Sequence, residues 1–213
     1  PTFSNGVVLN GNGTITVPAG VTSFTVTVPT TQDTIDEPDE TVPLTVGGVA
    51  ATGTIVDDDA PPALSVADVS VSEAAGTLSF TVSLSAASEL PVSVSYATAT
   101  GSASAADFTA ASGSLSFAPG VTSQTITVAI TDDLIDELDE TFTVELSAPV
   151  NATLGDATAV GTIVDDDGVP TVVSVEPGVP GPAGDTVPEG SDLVYAVTLS
   201  NPSSRPLPPG SRS

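Results

Sequence analysis

Between Pro1 and Ser204 the chain has no lysine and no arginine; its two basic residues, Arg205 and Arg212, fall in the last nine positions. Histidine, cysteine, methionine and tryptophan are absent altogether. Each absence narrows what the chain can do. Without Lys and Arg clusters nothing neutralises phosphates, so nucleic acid is a poor partner, and an anionic membrane surface is a poor one for the same reason. Without cysteine there is no disulfide and no thiolate metal site, and the redox compartment is left open. Ser–His–Asp, Cys–His, lysine Schiff-base and P-loop chemistries lack the residues they require. No apolar run approaches the roughly 18 residues of a spanning helix, so no membrane insertion is expected. No charged stretch and apolar core of a signal peptide follows Pro1, and the chain reads as an internal segment of something longer.

What is present is acid: 27 Asp and Glu in 213 residues, for a formal charge of −25. With 39% hydrophobic residues this is not the profile of a disordered acidic tail, which would be poor in Val, Ile and Leu. The length allows one to three domains, and internal repetition divides it. GVTSFTVTVPTTQDTIDEPDET (20–41) matches GVTSQTITVAITDDLIDELDET (120–141) at an offset of 100. GTIVDDD at 53–59 recurs at 161–167, an offset of 108, so the second copy carries eight extra residues around SAPVNATLGDATAV. VSEAAGTLSFTVSLS (71–85) is matched in part by VPEGSDLVYAVTLS (187–200). Four segments follow: the second half of one repeat (1–59), a complete repeat (60–167), the first half of a third (168–204), and a tail (205–213). The tail loses the preceding alternation and is set aside as disordered or artefactual. The Pro- and Gly-rich EPGVPGPAGDTVPEG of the third copy is read as a loop.

The local pattern is strand throughout. TLSFTVSLS puts Leu78, Phe80, Val82 and Leu84 on one face; SQTITVAI does so with Ile126, Val128 and Ile130, and TFTVEL with Phe142, Val144 and Leu146. Alternation with Thr and Val reads as half-buried antiparallel strands. In ALSVADVSVSE the apolar parity shifts between Val66 and Val69, which predicts a break at Ala67–Asp68. Strands at 63–72, 77–85, 91–98, 113–117, 122–131, 141–147 and 158–164 make an all-β, immunoglobulin-like sandwich, repeated in tandem. If each strand runs opposite to the last, one pole collects Glu73, Asp107, the six acids from Asp132 to Glu140, and Asp165–Asp167. The other pole holds only Glu89 and Asp156. The acids are scattered in sequence and sorted in space.

Such a pole, with no basic side chain nearby, repels itself unless cations sit within it. An all-oxygen donor set points to a hard ion, and Ca²⁺ takes about 6–8 oxygens in flexible geometry. Mg²⁺ keeps more of its water, and zinc or copper would want His or Cys. A solvated, solubilising acidic face accounts for the charge but not for its placement. A glycosidase-like carboxylate pair lacks the aromatic platforms of sugar sites, the aromatic fraction being 4%. An EF-hand would need a central Gly and flanking helices, neither of which is present.

The motifs VSEAAGTLSFTVSLS, ASAADFTAASGSLSFAPGVTSQTITVAITDDLIDELDETFTVELS and GTIVDDD together resemble a Calx-β domain, and residues 62–167 match over a whole domain. The family includes calcium-sensing domains of sodium–calcium exchangers and repeats in integrin β4 and in large bacterial surface adhesins. The resemblance implies calcium ligands at Glu73, Asp107, Asp132, Asp133, Glu137, Asp165, Asp166 and Asp167. In the first repeat Gln32 replaces one acid, leaving a partial site of Asp33, Glu37, Asp57, Asp58 and Asp59. The third retains Glu189. Within the family, the lysine-free, Ala/Thr/Ser/Val-rich composition suggests a bacterial extracellular or cell-surface module. Its partners would be neighbouring repeats of the same chain, and calcium would stiffen a non-catalytic fibre. A calcium sensor on a membrane transporter and a non-catalytic repeat of a secreted enzyme are the alternatives.

Overall fold

The computed structural model describes residues 1–177, 188–190, 192 and 194–206. Arg212 and most of the third repeat's Pro- and Gly-rich insertion lie outside them. Two compact units divide the chain, Pro1–Asp59 and Ala60–Ser213.

The first unit contains β1 (Thr2–Phe3), β2 (Val8–Leu9), β3 (Ile15–Thr16), β4 (Val26–Thr27), β5 (Glu40–Val46) and β6 (Val49–Ile55). They form three antiparallel pairs, β1–β4, β2–β3 and β5–β6. The β5–β6 hairpin turns on Gly47 and Gly48, both at positive φ (58° and 85°), as a tight two-residue turn requires.

The second unit is a sandwich. Its strands are β7 (Ala63–Val66), β8 (Val69–Ser72), β9 (Thr77–Leu84), β10 (Val92–Thr100), β11 (Ser112–Phe117), β12 (Ser123–Ala129), β13 (Glu140–Val150), β14 (Thr153–Asp156) and β15 (Thr158–Val164). One sheet runs β12-β9-β7-β14, the other β11-β10-β13-β15-β8. A hairpin of β16 (Val172–Pro177) and β17 (Tyr195–Leu199) follows.

The break expected at Ala67–Asp68 is where the chain changes sheets: β7 lies in one and β8 in the other. Asp68 Oδ1 accepts the Val160 N–H at 2.7 Å, tying the crossing to β15. Two features depart from the antiparallel expectation. The stretch SAPVNATLGDATAV, whose eight extra residues were expected to form a loop, contains β14, which pairs parallel with β7, and β8 pairs parallel with β15. Both follow from the sheet switch, which lets one segment border both sheets.

The alternating residues expected to face inward do so. Leu78, Phe80, Val82, Leu84, Ile126, Val128, Ile130, Phe142, Val144 and Leu146 are all buried in one core cluster. Phe142 sits at its centre, edge-on to Phe80 (5.8 Å) and stacked on Phe108 (4.3 Å). Room for these rings comes from Gly161 in β15, where an added Cβ would lie 2.8 Å from both Phe142 and Phe80. This packing fixes the sheet ends from which the acidic loops emerge.

Candidate metal centre

Three loops and the end of β15 meet at one pole of the second repeat. After β8 a single 3-10 turn, Glu73–Ala75, closes on Gly76 in the left-handed region (φ 68°) and turns Glu73 inward. The loop between β10 and β11 is held by its backbone: Phe108 bridges Ile130, and the Thr131 N–H donates to the Asp107 carbonyl at 2.9 Å. At its start, Ser102 Oγ accepts the Thr141 N–H at 2.8 Å and the Ala103 N–H donates to the Thr141 carbonyl at 2.9 Å. Gly101 is required there, since a Cβ would come within 2.5 Å of that carbonyl oxygen. The loop from β12 to β13 folds around Asp133, whose Oδ1 accepts the Ile135 N–H at 2.7 Å. Asp139 Oδ1 receives the Asp165 N–H at 3.3 Å and so joins this loop to the end of β15.

These constraints bring carboxylates together in three groups: Glu73, Asp165 and Asp167; Glu73, Asp132 and Asp166; and Asp107, Glu137 and Glu140. Within each, one oxygen per residue lies within 4.8 Å of the others. Seven of the eight residues expected in this repeat belong to a group. Asp133 belongs to none, but its charge bears on Glu73, Glu137 and Asp167. Glu140 was not among the expected ligands. It enters because β13 begins beside Asp107, a neighbour from another loop that linear spacing does not reveal.

The electrostatics are those of a site short of positive charge. Glu73 is only 6% exposed, and its Oε1 has no hydrogen-bond partner. Burial first, then the charges of Asp133, Asp165, Asp167 and Asp166, push its carboxyl from 4.5 to about 7. Burial, then a hydrogen bond and repulsion from Asp107, raise Glu140 to about 7 as well. Asp107 moves the other way. Burial alone would raise it, but hydrogen bonds from the Ser104 backbone and hydroxyl and from Glu140 outweigh burial and lower it. Of this hydrogen-bonded pair, Glu140 is the one whose proton is held more tightly. Burial and neighbouring acids also raise Glu137 and Asp167, and Asp167 Oδ2 is a second buried oxygen with no partner. Buried, unpaired carboxylate oxygens in an all-oxygen setting fit a hard divalent cation.

The first repeat shares three loop bonds with the second. Asp33 Oδ1 accepts the Ile35 N–H (2.9 Å), Asp39 Oδ1 the Asp57 N–H (3.1 Å), and Asp57 Oδ1 the Asp59 N–H (3.5 Å). The expected partial-site residues Asp33, Glu37 and Asp57–Asp59 line one cleft of about 210 Å³ together with Gln32 and Glu40. Burial and the charges of Asp57, Asp58, Asp33 and Asp36 raise Asp59. Among the described residues, no carboxylate triplet as tight as those of the second repeat forms here.

A family model for the Calx-β domain matches residues 9–56 and again residues 56–167. The chain belongs to the Calx-β domain family. Calx-β domains are calcium-binding, non-catalytic regulatory or structural domains. The first match covers Asp33 and Glu37 and ends just before Asp57–Asp59, and the second covers all three carboxylate groups of the second repeat. Among solved structures, the chain is similar to the apo form of the Calx CBD1 domain, with 32% identity and a TM-score of 0.47. That match covers 50% of this chain and 98% of the other. It is also similar to the calcium-binding domain CBD12 of CALX1.1, with 31% identity, a TM-score of 0.47, and coverage of 52% of this chain and 50% of the other. No curated protein matches the chain.

Proposed function

We propose that this chain is a calcium-binding structural segment of an extracellular, bacterial adhesin-like protein, in which calcium stiffens Calx-β domains and the joints between repeats. The observation that carries the calcium reading is Glu73: a buried carboxylate with an orphaned oxygen, repelled by Asp133, Asp165, Asp167 and Asp166. Ca²⁺ supplies the missing charge and takes the free oxygens. The ligands would be Glu73, Asp107, Asp132, Asp133, Glu137, Asp165, Asp166 and Asp167, with Glu140 completing the group around Asp107.

The stiffening reading is supported by Asp136, in the same loop as Asp133 and Glu137. It is 3% exposed, and its carboxylate accepts the Ser203 hydroxyl at 2.6 Å. Its backbone N–H donates to the Pro202 carbonyl (3.2 Å), and its carbonyl accepts the Ser204 N–H (3.1 Å). Arg205, set aside with the tail on sequence grounds, lies 3.5 Å from the Asp136 carboxylate and donates to the Glu137 carbonyl at 3.3 Å. The segment that follows β17 is therefore seated on the loop that would hold the ions. The lysine-free composition and tandem organisation support an extracellular fibre with like repeats as neighbours.

Small-angle scattering on a protein with two complete repeats tests the stiffening. A narrow, extended particle in calcium and a broader distribution of shapes in chelator are expected. Identical profiles, with binding confirmed separately, would mean that the ions stabilise each repeat alone.

A further inference from the structure

Residues 1–59 have no counterpart of Glu73 or Asp107, and at one further position the two repeats differ by a side chain that can be compared directly. By repeat register Gln32 stands where the second repeat has Asp132, and Asp58 where it has Asp166. In the second repeat Asp132 and Asp166 bring carboxylate oxygens together with that of the buried Glu73, all within 4.8 Å. Asp166 Oδ2 accepts the Ser72 hydroxyl at 3.0 Å, but Asp132 and Asp166, as ionised carboxylates, have no proton to donate to each other. In the first repeat Gln32 Nε2 donates directly to Asp58 Oδ1 at 2.8 Å. A carboxylate only accepts, so the amide must present its nitrogen. The surrounding loop bonds are the same in both repeats: Asp33 to Ile35 and Asp133 to Ile135, Asp39 to Asp57 and Asp139 to Asp165. The substitution has not distorted the loop. It has replaced a repulsive pair with a donor and an acceptor.

Resting on the calcium reading above, we propose that Gln32 stands in for a cation. Its amide ties the loop between β4 and β5 to the chain after β6, a tie that in the second repeat requires a metal ion between Asp132 and Asp166. The first repeat therefore keeps this tie when calcium is withdrawn, and the second loses it. In a chain of such repeats a Gln/Asp choice at this position would set whether this one tie depends on calcium.

The test is amide hydrogen exchange on the full chain in calcium and in EGTA, comparing residues 32–35 and 57–59 with 132–135 and 165–167. The second-repeat amides should exchange at least several-fold faster in EGTA, and the first-repeat amides at the same rate in both. Gln32→Asp, which removes the donor and adds a charge beside Asp58, should speed exchange at 57–59 in EGTA more than in calcium. Gln32→Ala, which adds no charge, should speed exchange at 57–59 in both conditions. Equal EGTA sensitivity of both segments in the unaltered chain, or unchanged exchange at 57–59 in Gln32→Ala, would overturn the stand-in role and leave the calcium reading intact. No calcium effect at 132–135 and 165–167 would overturn both.

Discussion

Replacing Glu73 with glutamine should make the metal-free protein more stable and the calcium-loaded protein less so. Above pH 7 Glu73 is ionised in both the folded and the unfolded chain, but the folded site opposes the charge. The difference between 4.5 and about 7, at about 1.36 kcal/mol per pH unit, is about 3 kcal/mol. Glu73→Gln removes the charge and nearly keeps the shape. At pH 8 in EGTA the second repeat should therefore melt higher, by up to roughly 10 °C for a domain of this size. In calcium the order should reverse. Two of the three carboxylate groups share Glu73, and an ion bound only to the folded state at a hundredfold excess over its Kd contributes about 2.7 kcal/mol. Calorimetric melting of both proteins, in calcium and in EGTA, is the assay. A variant that is less stable than the parent in EGTA, or one that keeps the parent's full response to calcium, would refute the reasoning.

The remaining predictions concern acidity and packing. In the folded, metal-free protein Glu73 and Glu140 titrate near 7, while a free glutamate titrates near 4.5. The folded state therefore holds more protons between these values, and metal-free stability should rise as pH falls from 8 to 5. Calcium must displace those protons, so its affinity should weaken over the same range; chemical denaturation and binding titrations at pH 5 and pH 8 check both trends. Gly161→Ala should destabilise the second repeat by about 1–3 kcal/mol, because its Cβ would meet Phe142 and Phe80 at 2.8 Å in a core with no slack; urea denaturation reads this directly.

The sandwich was legible in the sequence wherever a strand has one wet and one dry face. Leu78, Phe80, Val82 and Leu84 alternate with Thr and Ser because β9 presents one side to the core. β14 left no such mark, because all four of its residues are exposed. It is a strand only through its parallel pairing with β7, and no local pattern encodes that. The acidic pole was legible through strand parity alone. Glu140 was missed because its part depends on a neighbour from another loop, Asp107. Arg205 was missed because its contacts are to a backbone carbonyl and a single carboxylate, after the alternation ends. Asp136 was counted with the other acids, yet it is buried and faces Ser203 and not the carboxylate groups.

Titration calorimetry with calcium on the unaltered chain and on Asp133→Asn, Glu137→Gln and Asp156→Asn tests the central claim most directly. Asp156 ends β14, level with Ser65 of β7, and belongs to none of the carboxylate groups. Saturable binding that weakens in the Asp133 and Glu137 variants and is unchanged in the Asp156 variant is the predicted result. No binding to the unaltered chain, or a loss in Asp156→Asn equal to that in Asp133→Asn, would contradict a calcium site at this pole.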